Sequence, residues 1–298
     1  MRNHITYVWT YELCTPLHAV LILLNNPTLS ARCIPPPPPP VTDPHPVQLT
    51  GLAAALQFKE GIFEAELADA VSHKPTAIPT LAAFHADRSL LTMIELMLDA
   101  GLHRQAVKLQ YNKLGCFPVH FDSDVEVDPR VLTAIVYLNE GWNAGDGGEL
   151  RLYPGLRQGQ KPVDVQPVMD RMVLFSSPNM LHRVLPSQRD RFCFTIWFHS
   201  RRKHMPAAPV DPPAASGEAD PAAALRFLMQ PHVRKHVARL VFSDEWEQSI
   251  VESHPASPSR DQAVEKHRSD VGLIRKALGK YLPALALAKG PDPPVRWF

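Results

Sequence analysis

Residues 117–124 read FPVHFDSD, and this stretch places His120 and Asp122 two positions apart, between an apolar run and an acidic turn. In a β-strand, side chains at positions i and i+2 point to the same face of the sheet. An imidazole nitrogen and a carboxylate oxygen would then lie side by side. The stretch therefore predicts two of the three ligands of a metal site, and the third ligand must come from elsewhere in the chain.

The same His-x-Asp spacing occurs at His85 and Asp87, inside a segment whose apolar residues recur at helical spacing. On a helix, positions i and i+2 lie about 200° apart, so this second pair cannot hold one ion. His85 is therefore interpreted as an ordinary helix residue. The secondary structure around such a pair decides its chemistry, because the spacing alone does not.

The length and the composition of the chain limit the classes of protein to which it can belong. The chain has 298 residues, of which 45% are hydrophobic and 20% are charged, enough for one large domain or two modest ones with a buried core. A formal net charge of +1, without basic grooves that carry stacking aromatic residues, gives no reason to expect a nucleic-acid partner. The 4 cysteines form no C-x-x-C pair, which argues against a zinc knuckle or a disulfide framework and fits a reducing compartment.

The segment PLHAVLILLNN at residues 16–26 is the strongest apolar run near the N-terminus. Its apolar core of about nine residues is too short to span a bilayer, and the residues before it make a poor signal-peptide n-region. We expect no stable membrane span and a cytoplasmic or nuclear location. Secretory or organellar targeting is the alternative.

The composition divides the chain into four parts. Residues 1–50 are expected to form a disordered Pro-rich arm, since they contain the run Pro35–Pro40. Residues 51–104 contain two amphipathic stretches and are expected to form a helical support region. Residues 105–200 are expected to form the core, and residues 201–298 return to helical periodicity as a C-terminal extension.

The core segment reads as a series of short strands. VLTAIVYLN and RFCFTIWF are typical, because they are rich in β-branched and aromatic residues and are bounded by Gly, Asn, Asp or Pro. Roughly seven or eight such strands in one segment favour an antiparallel sandwich or jelly roll. The predicted fold class is α+β, with a double-stranded β-helix (jelly-roll) core and flanking N-terminal and C-terminal helices.

The third ligand should lie on a later strand. Two histidines and one carboxylate on one face hold ferrous iron in oxygenases. His182 lies between two strand-like segments, whereas its rival His199 lies at the far end of the last strand. Arg191 opens that last strand and could supply the charged, bidentate donor that a dicarboxylate co-substrate needs. Arg183 and Arg189 compete for this role, although neither leads directly into the apolar strand.

Four segments in this order resemble the catalytic core of the 2-oxoglutarate- and Fe(II)-dependent dioxygenases, and in particular their prolyl 4-hydroxylase branch with its hypoxia-type (EGL-nine-like) prolyl hydroxylases. The segments are QYN…GCFPVHFDSD, TAIVYLNEGWNAGDGGELRLYP, VQPVMDRMVLFSSPNMLHRVLP and RDRFCFTIWF. The resemblance covers residues 106–199. We identify no family counterpart for the arm or for the C-terminal third.

The resemblance implies a role for each site residue. His120, Asp122 and His182 would bind Fe(II), and Arg191 would pair with the distal carboxylate of 2-oxoglutarate. Five further residues would complete the pocket: Tyr111, Tyr137, Leu150, Thr195 and Trp197.

Tyr137 would donate its hydroxyl to the same carboxylate, and Tyr111 would line the pocket from the preceding strand. Leu150 and Thr195 would wall the pocket, and Trp197 would lie near the metal. For Tyr137, Leu150, Thr195 and Trp197, each taken alone, an ordinary position in the barrel interior is the alternative.

The resemblance also implies the reaction, which is decarboxylation of 2-oxoglutarate to succinate coupled to hydroxylation, with ascorbate as a further cofactor. Asp122 favours hydroxylation, because halogenating relatives carry a small residue at this position. The expected substrate is a protein or peptide that contains proline, with Trp142 as an apolar contact at the mouth of the site. Three alternatives stay open: another protein residue or a small molecule as acceptor, a catalytically inactive jelly-roll binding module, and a zinc-bound cupin-like hydrolase.

Overall fold

The computed structural model describes residues 9–10, 62–66, 102–123, 130–156, 161–169, 171–200, 211–213 and 220–287. Within these ranges, ten strands form two antiparallel sheets, and five α-helices follow them in the chain. The two sheets carry the candidate site, and the helices lie against one of them.

Six strands form the larger sheet: β1 (Trp9–Thr10), β2 (Ile62–Glu66), β3 (Leu102–Lys113), β5 (Arg130–Tyr137), β8 (Met172–Ser176) and β10 (Asp190–Ser200). Their order across the sheet is β1-β8-β5-β10-β3-β2. Four strands form the smaller sheet: β4 (Phe117–His120), β6 (Leu150–Tyr153), β7 (Val163–Val165) and β9 (Leu181–Val184). Their order is β4-β9-β6-β7.

The composition of β5 explains its place inside the larger sheet. Its sequence RVLTAIVY has no polar alternation, and all residues after Arg130 are buried. A strand that is buried on both faces reads as a continuous apolar run, and β-branched and aromatic side chains suit such a strand. Side chains from both sheets form one apolar cluster, which includes Ile135, Tyr137, Leu150, Leu152, Val173 and Phe175.

The helices form where the sequence predicts helical periodicity after residue 220. They are α1 (Pro221–Leu228), α2 (Pro231–Val241), α3 (Ser243–Ser253), α4 (Pro258–Leu278) and α5 (Pro283–Leu287), with a 3₁₀ turn at Gly279–Tyr281. Asp220 and Ser257 cap α1 and α4 through their side-chain oxygens, each just before a proline in the first turn. None of the described helices is long and apolar enough to cross a membrane.

The helices pack against the smaller sheet. One buried cluster joins Val119, Tyr153 and Leu181 of that sheet to helix residues that include Leu228, Val237, Trp246 and Ile250. Helix α3 lies beside β4, the strand that ends at His120. The C-terminal extension therefore touches the part of the core that carries the candidate ligands.

The structure differs from the sequence prediction near the N-terminus. Ile62–Glu66 is a strand, although it lies in the region expected to be helical, and it pairs with Lys108–Asn112 of β3. Pairing with a neighbouring strand overrides local propensity, which is a weak prior for strands in particular. Trp9–Thr10 of the expected arm also forms a short strand, paired with β8. Residues 102–104, also expected to be helical, form the start of β3. The remaining residues of the arm and of the predicted helical region, with His85 and Asp87, lie outside the described residues.

Candidate metal centre

His120, Asp122 and His182 come together between β4 and β9. The two strands are paired so that His120 lies opposite His182, with ring centroids 4.3 Å apart. One ligand atom from each of the three residues lies within 4.8 Å of the other two. Asp122 follows the end of β4 instead of lying in it, and its backbone N–H donates to the carbonyl of Ser177 over 3.2 Å. The three predicted ligands therefore lie together, and a long-range backbone hydrogen bond holds the segment that carries Asp122.

Both imidazole rings are oriented by backbone carbonyls. Nδ1 of His120 lies 2.8 Å from the carbonyl oxygen of Pro118, and Nδ1 of His182 lies 2.9 Å from that of Met180. A carbonyl only accepts, so Nδ1 donates its proton to the backbone in each ring, and Nε2 is the nitrogen that faces Asp122. The two Nε2 atoms lie 3.4 and 3.6 Å from Oδ1 of Asp122. Nε2 of His120, Nε2 of His182 and Oδ1 of Asp122 therefore lie close enough together to bind one metal ion.

The other carboxylate oxygen of Asp122 is held by two donors. Oδ2 accepts a hydrogen bond from the Thr133 hydroxyl at 2.6 Å and a longer one from Nε1 of Trp197 at 3.4 Å. Burial alone would raise the pKa of Asp122, but His182, His120 and the Thr133 hydroxyl together lower this pKa below its usual range. The carboxylate is therefore ionised, with Oδ1 directed at the histidines.

This donor set fits a divalent metal ion. Two imidazole nitrogens and one carboxylate oxygen form the facial triad of non-haem Fe(II) oxygenases, and the same ligand types also suit zinc. In the part of the chain that the structure describes, this is the one group of three or more His, Cys, Asp or Glu residues able to hold a metal ion. His199, the rival considered from the sequence, does not belong to it.

Arg191 lies in the interior of the same site. Its side chain is 1% exposed, its Nε donates to the carbonyl of Gly148 over 2.9 Å, and its guanidinium lies 5.0 Å from the ring centroid of Tyr137. Among the described residues, neither Nη2 of Arg191 nor the Tyr137 hydroxyl has a hydrogen-bond partner. Burial raises the pKa of Tyr137 by more than the neighbouring Arg191 lowers this pKa, so the hydroxyl keeps its proton. Two buried donors without an acceptor fit a carboxylate ligand.

The two competing arginines have other partners. Arg183 follows His182 directly in β9, so its side chain leaves the opposite face of the strand, where it forms an ion pair with Glu252 of α3. Arg189 is 45% exposed and forms an ion pair with Asp146 at 3.0 Å. Arg191 is therefore the one of the three that faces the interior.

Three of the predicted pocket residues lie on the inner faces of the sheets. Leu150 is fully buried on β6, two positions from Leu152, which lies opposite His182. Thr195 lies four residues beyond Arg191, on the same face of β10, and its hydroxyl donates to Oε1 of Gln110 at 2.9 Å. Trp197 lies two residues further, where its indole N–H reaches Asp122. All three side chains are buried, and their roles as pocket wall and as metal neighbour stay predictions.

The structure does not bring Tyr111 into the pocket. Tyr111 lies opposite Phe192 in the pairing of β3 with β10, and the two rings stack with centroids 4.7 Å apart. Since Phe192 follows Arg191, both aromatic rings lie on the face of the sheet that Arg191 does not use. Asn112, opposite Arg191, takes the inward position instead. It is fully buried, and neither of its side-chain amide atoms has a partner in the described ranges.

Trp142 also differs from expectation. It is 7% exposed, its Nε1 donates to the carbonyl of Gly147 over 3.1 Å, and the guanidinium of Arg189 lies 5.3 Å from its ring. The side chain is thus enclosed by its own loop and is not a surface contact at the mouth. It supports the backbone that leads to Gly148, the acceptor for Arg191.

Two functional positions were missed from the sequence. Thr133 precedes Tyr137 by four positions in β5, so period-two alternation places both on one face and could have identified it. Gly148 has φ +69°, and an added Cβ would lie 3.0 Å from Cδ of Arg191. Only the tertiary contact reveals this glycine, because the chain has 14 glycines with no local feature that separates them.

Comparison with known proteins agrees with this geometry. Residues 107–199 match the model of the 2OG-Fe(II) oxygenase superfamily. The chain is 40% identical over 123 residues to the hypoxia-inducible factor prolyl hydroxylase of Caenorhabditis elegans, a match that covers 37% of this chain and 17% of that protein. It is 32% identical over 120 residues to prolyl hydroxylase EGLN3 of Homo sapiens, a match that covers 37% and 49% of the two chains.

A solved structure extends the similarity beyond the core. The crystal structure of a prolyl 4-hydroxylase from Phytophthora capsici aligns with a TM-score of 0.55 and 34% sequence identity, and it covers 74% of this chain and 75% of the other. By contrast, the chain spans 17% and 49% of the length of the two curated relatives named above.

Proposed function

The chain belongs to the 2OG-Fe(II) oxygenase superfamily, and from that premise we propose that it is an Fe(II)- and 2-oxoglutarate-dependent dioxygenase that hydroxylates a prolyl residue in a protein or peptide. The two antiparallel sheets would be its jelly-roll core. The prolyl acceptor is supported by relatives that are named as prolyl hydroxylases, at 40% and 32% identity over the matched segments.

One observation carries the proposal. The convergent His120, Asp122 and His182 share an interior with a buried arginine whose Nη2 has no partner among the described residues. A buried guanidinium without an anion is costly, so the arrangement is favourable only when a carboxylate or comparable ligand occupies the site. A plain binding module or a zinc hydrolase has no need of this arginine.

The residues of the chain have separable roles in this reaction. Bound Fe(II) and 2-oxoglutarate supply the oxidative chemistry, in which 2-oxoglutarate becomes succinate and carbon dioxide and one oxygen atom of dioxygen enters the substrate. The two histidines and Asp122 would hold the metal, with ring orientation set by backbone carbonyls and carboxylate orientation set by Thr133. Such outer contacts preserve ligand geometry and tune metal affinity.

Arg191 and Tyr137 would bind the distal carboxylate of 2-oxoglutarate. The arginine is preorganised, because its Nε donates to the carbonyl of Gly148, while Nη2 has no partner among the described residues and is left to donate to the carboxylate. Leu150 and Phe175 are fully buried in this interior and would shield bound 2-oxoglutarate from water. Ascorbate would serve as the reductant that maintains the iron.

The test is turnover by the full chain. Metal-free protein is supplied with Fe(II), ascorbate and 2-oxoglutarate, with or without a proline-containing peptide, and succinate and the peptide mass are measured. We expect succinate to depend on Fe(II) and on 2-oxoglutarate, and the peptide to gain one oxygen atom on proline. Zn(II) in place of Fe(II) and the His182→Ala protein are the controls, and both should give no succinate.

Two results would separate the alternatives. Succinate without a change in peptide mass would point to a different acceptor, whereas no succinate under any condition, from protein that is folded, would contradict the dioxygenase.

A further inference from the structure

We infer that helix α3 positions the metal ligands, with Ser249 and Glu252 holding the backbone segments next to His120 and His182. This inference rests on the proposed metal site and assigns a role in it to the C-terminal extension. The relevant contacts come from one face of the helix, since Ser249 and Glu252 are three positions apart.

The first contact is made at an irregularity in β4. Phe117 pairs with Val184 and His120 pairs with His182, so β4 uses three steps where β9 uses two. One extra residue in a strand marks a β-bulge, which re-aims the side chains beside it. The bulged residues are Pro118, which has no N–H, and Val119, whose N–H donates to the Ser249 hydroxyl at 3.0 Å.

The same peptide unit orients His120. The carbonyl of Pro118 and the N–H of Val119 belong to one planar peptide group, so they move together. Ser249 holds the N–H end at 3.0 Å, and Nδ1 of His120 bonds to the carbonyl end at 2.8 Å. A rotation of this plane would break both contacts and turn Nε2 of His120 away from Asp122. Ser249 is therefore a positioning residue that acts through the backbone.

The Ser249 hydroxyl is held in place by two hydrogen bonds, one that it donates and one that it accepts. It is fully buried, and it donates its one proton to the carbonyl of Trp246 over 2.6 Å. A hydroxyl has one donor and two acceptor sites, so a lone pair is left for the N–H of Val119. The side chain has no orientational freedom to lose when the ligand site is assembled.

The second contact is made at β9. Arg183 follows His182 directly, is 3% exposed, and forms an ion pair with Oε2 of Glu252. The other oxygen of Glu252 accepts from Nε2 of Gln248 at 2.6 Å, which fixes the carboxylate on the helix. Helix α3 therefore contacts the residue beside each histidine, and it ties together the two strands from which the ligands project.

The experiment measures Fe(II) binding alone, by anaerobic calorimetry on the full chain, well below the unfolding midpoint of each protein. Ser249→Ala leaves the N–H of Val119 without its acceptor, and we expect Fe(II) affinity to fall by about tenfold, the lower end for second-layer contacts. Ser253→Ala is the matched control, because that hydroxyl is also buried on α3 but donates to the carbonyl of Ser249 over 2.6 Å. The Fe(II) affinity of Ser253→Ala should stay within about twofold of the wild-type affinity.

Glu252→Gln is the second variant, and it tests the role of helix α3 if Ser249→Ala does not fold. It removes the charge opposite Arg183 on a partly exposed helix face, and we expect weaker Fe(II) binding there as well. Equal affinities for wild type and the folded variants would overturn the inference. Wild-type protein that does not bind Fe(II) would contradict the proposed function itself, which distinguishes the two failures.

Discussion

Replacement of Arg191 should weaken 2-oxoglutarate binding and leave Fe(II) binding intact. The side chain is 1% exposed, its Nε is fixed by Gly148 at 2.9 Å, and its Nη2 has no partner within the described part of the chain. Truncating one member of a buried charged pair costs about 3–5 kcal/mol. Since each 1.4 kcal/mol is about tenfold in affinity, Arg191→Ala should raise the half-saturating 2-oxoglutarate concentration by at least about a hundredfold.

Arg191→Lys separates charge from geometry. Lysine keeps the positive charge but cannot form the two-pronged contact. Loss of one charge-assisted hydrogen bond costs about 1.5–3 kcal/mol, so the half-saturating concentration should rise by about ten- to a hundredfold. We therefore expect the half-saturating 2-oxoglutarate concentration to increase in the order wild type, Arg191→Lys, Arg191→Ala.

The assay is succinate formation across a 2-oxoglutarate series, with the Fe(II) dissociation constant measured anaerobically for each protein. Arg189→Ala is the matched control, because Arg189 is two residues away, 45% exposed and paired with Asp146. It should stay within about threefold of wild type, as exposed ion pairs contribute little. A wild-type response of Arg191→Ala to 2-oxoglutarate would refute the anchor, and an equal loss in Arg189→Ala would assign the effect to the loop instead.

Three further predictions test the site and its surroundings. Thr133→Val removes the 2.6 Å hydrogen bond to Oδ2 of Asp122, and calorimetry should show Fe(II) affinity reduced by about tenfold. Gly148→Ala places a Cβ 3.0 Å from Cδ of Arg191 at φ +69°, so succinate assays should show a raised 2-oxoglutarate requirement with unchanged Fe(II) affinity. Burial lowers the pKa of His267 below its ordinary 6.5, so its contribution to the free energy of unfolding is present above pH 6.5 and is lost as pH falls below it. Urea titrations from pH 7.5 to 5 should therefore show a steeper loss of stability in wild type than in His267→Gln, and parallel curves would contradict this.

Several features of the site follow from local patterns alone. His182 and Arg183 are neighbours in a strand, so they must leave opposite faces, and the pairing of Arg183 with Glu252 agrees with this. Arg191 and Thr195 share a face for the same reason, and both are buried in the interior. Alternation follows from the geometry of each strand, and it needs no knowledge of the partner strand.

Other features depend on which strands pair and in which register. Tyr111 illustrates this, because a shift of one residue in the pairing of β3 with β10 would move it to the face of Arg191. The strand at Ile62–Glu66 was predicted as helix for a related reason, since its conformation comes from pairing with β3. A single sequence does not contain register, which is set by contacts between distant residues.

The amino-acid sequence by itself determined the ligand types and the strand context of His120 and His182, because these depend on residue chemistry and on the two-residue period of a strand. The tertiary structure alone decided how the ligands are held. The bulge at Pro118 and Val119 and the Ser249 hydroxyl that meets it lie 130 positions apart. The contact of Gly148 with Arg191 spans 43 positions. Such contacts form only when the packed sheets and helices bring distant segments to hydrogen-bond distance, and no local preference specifies them.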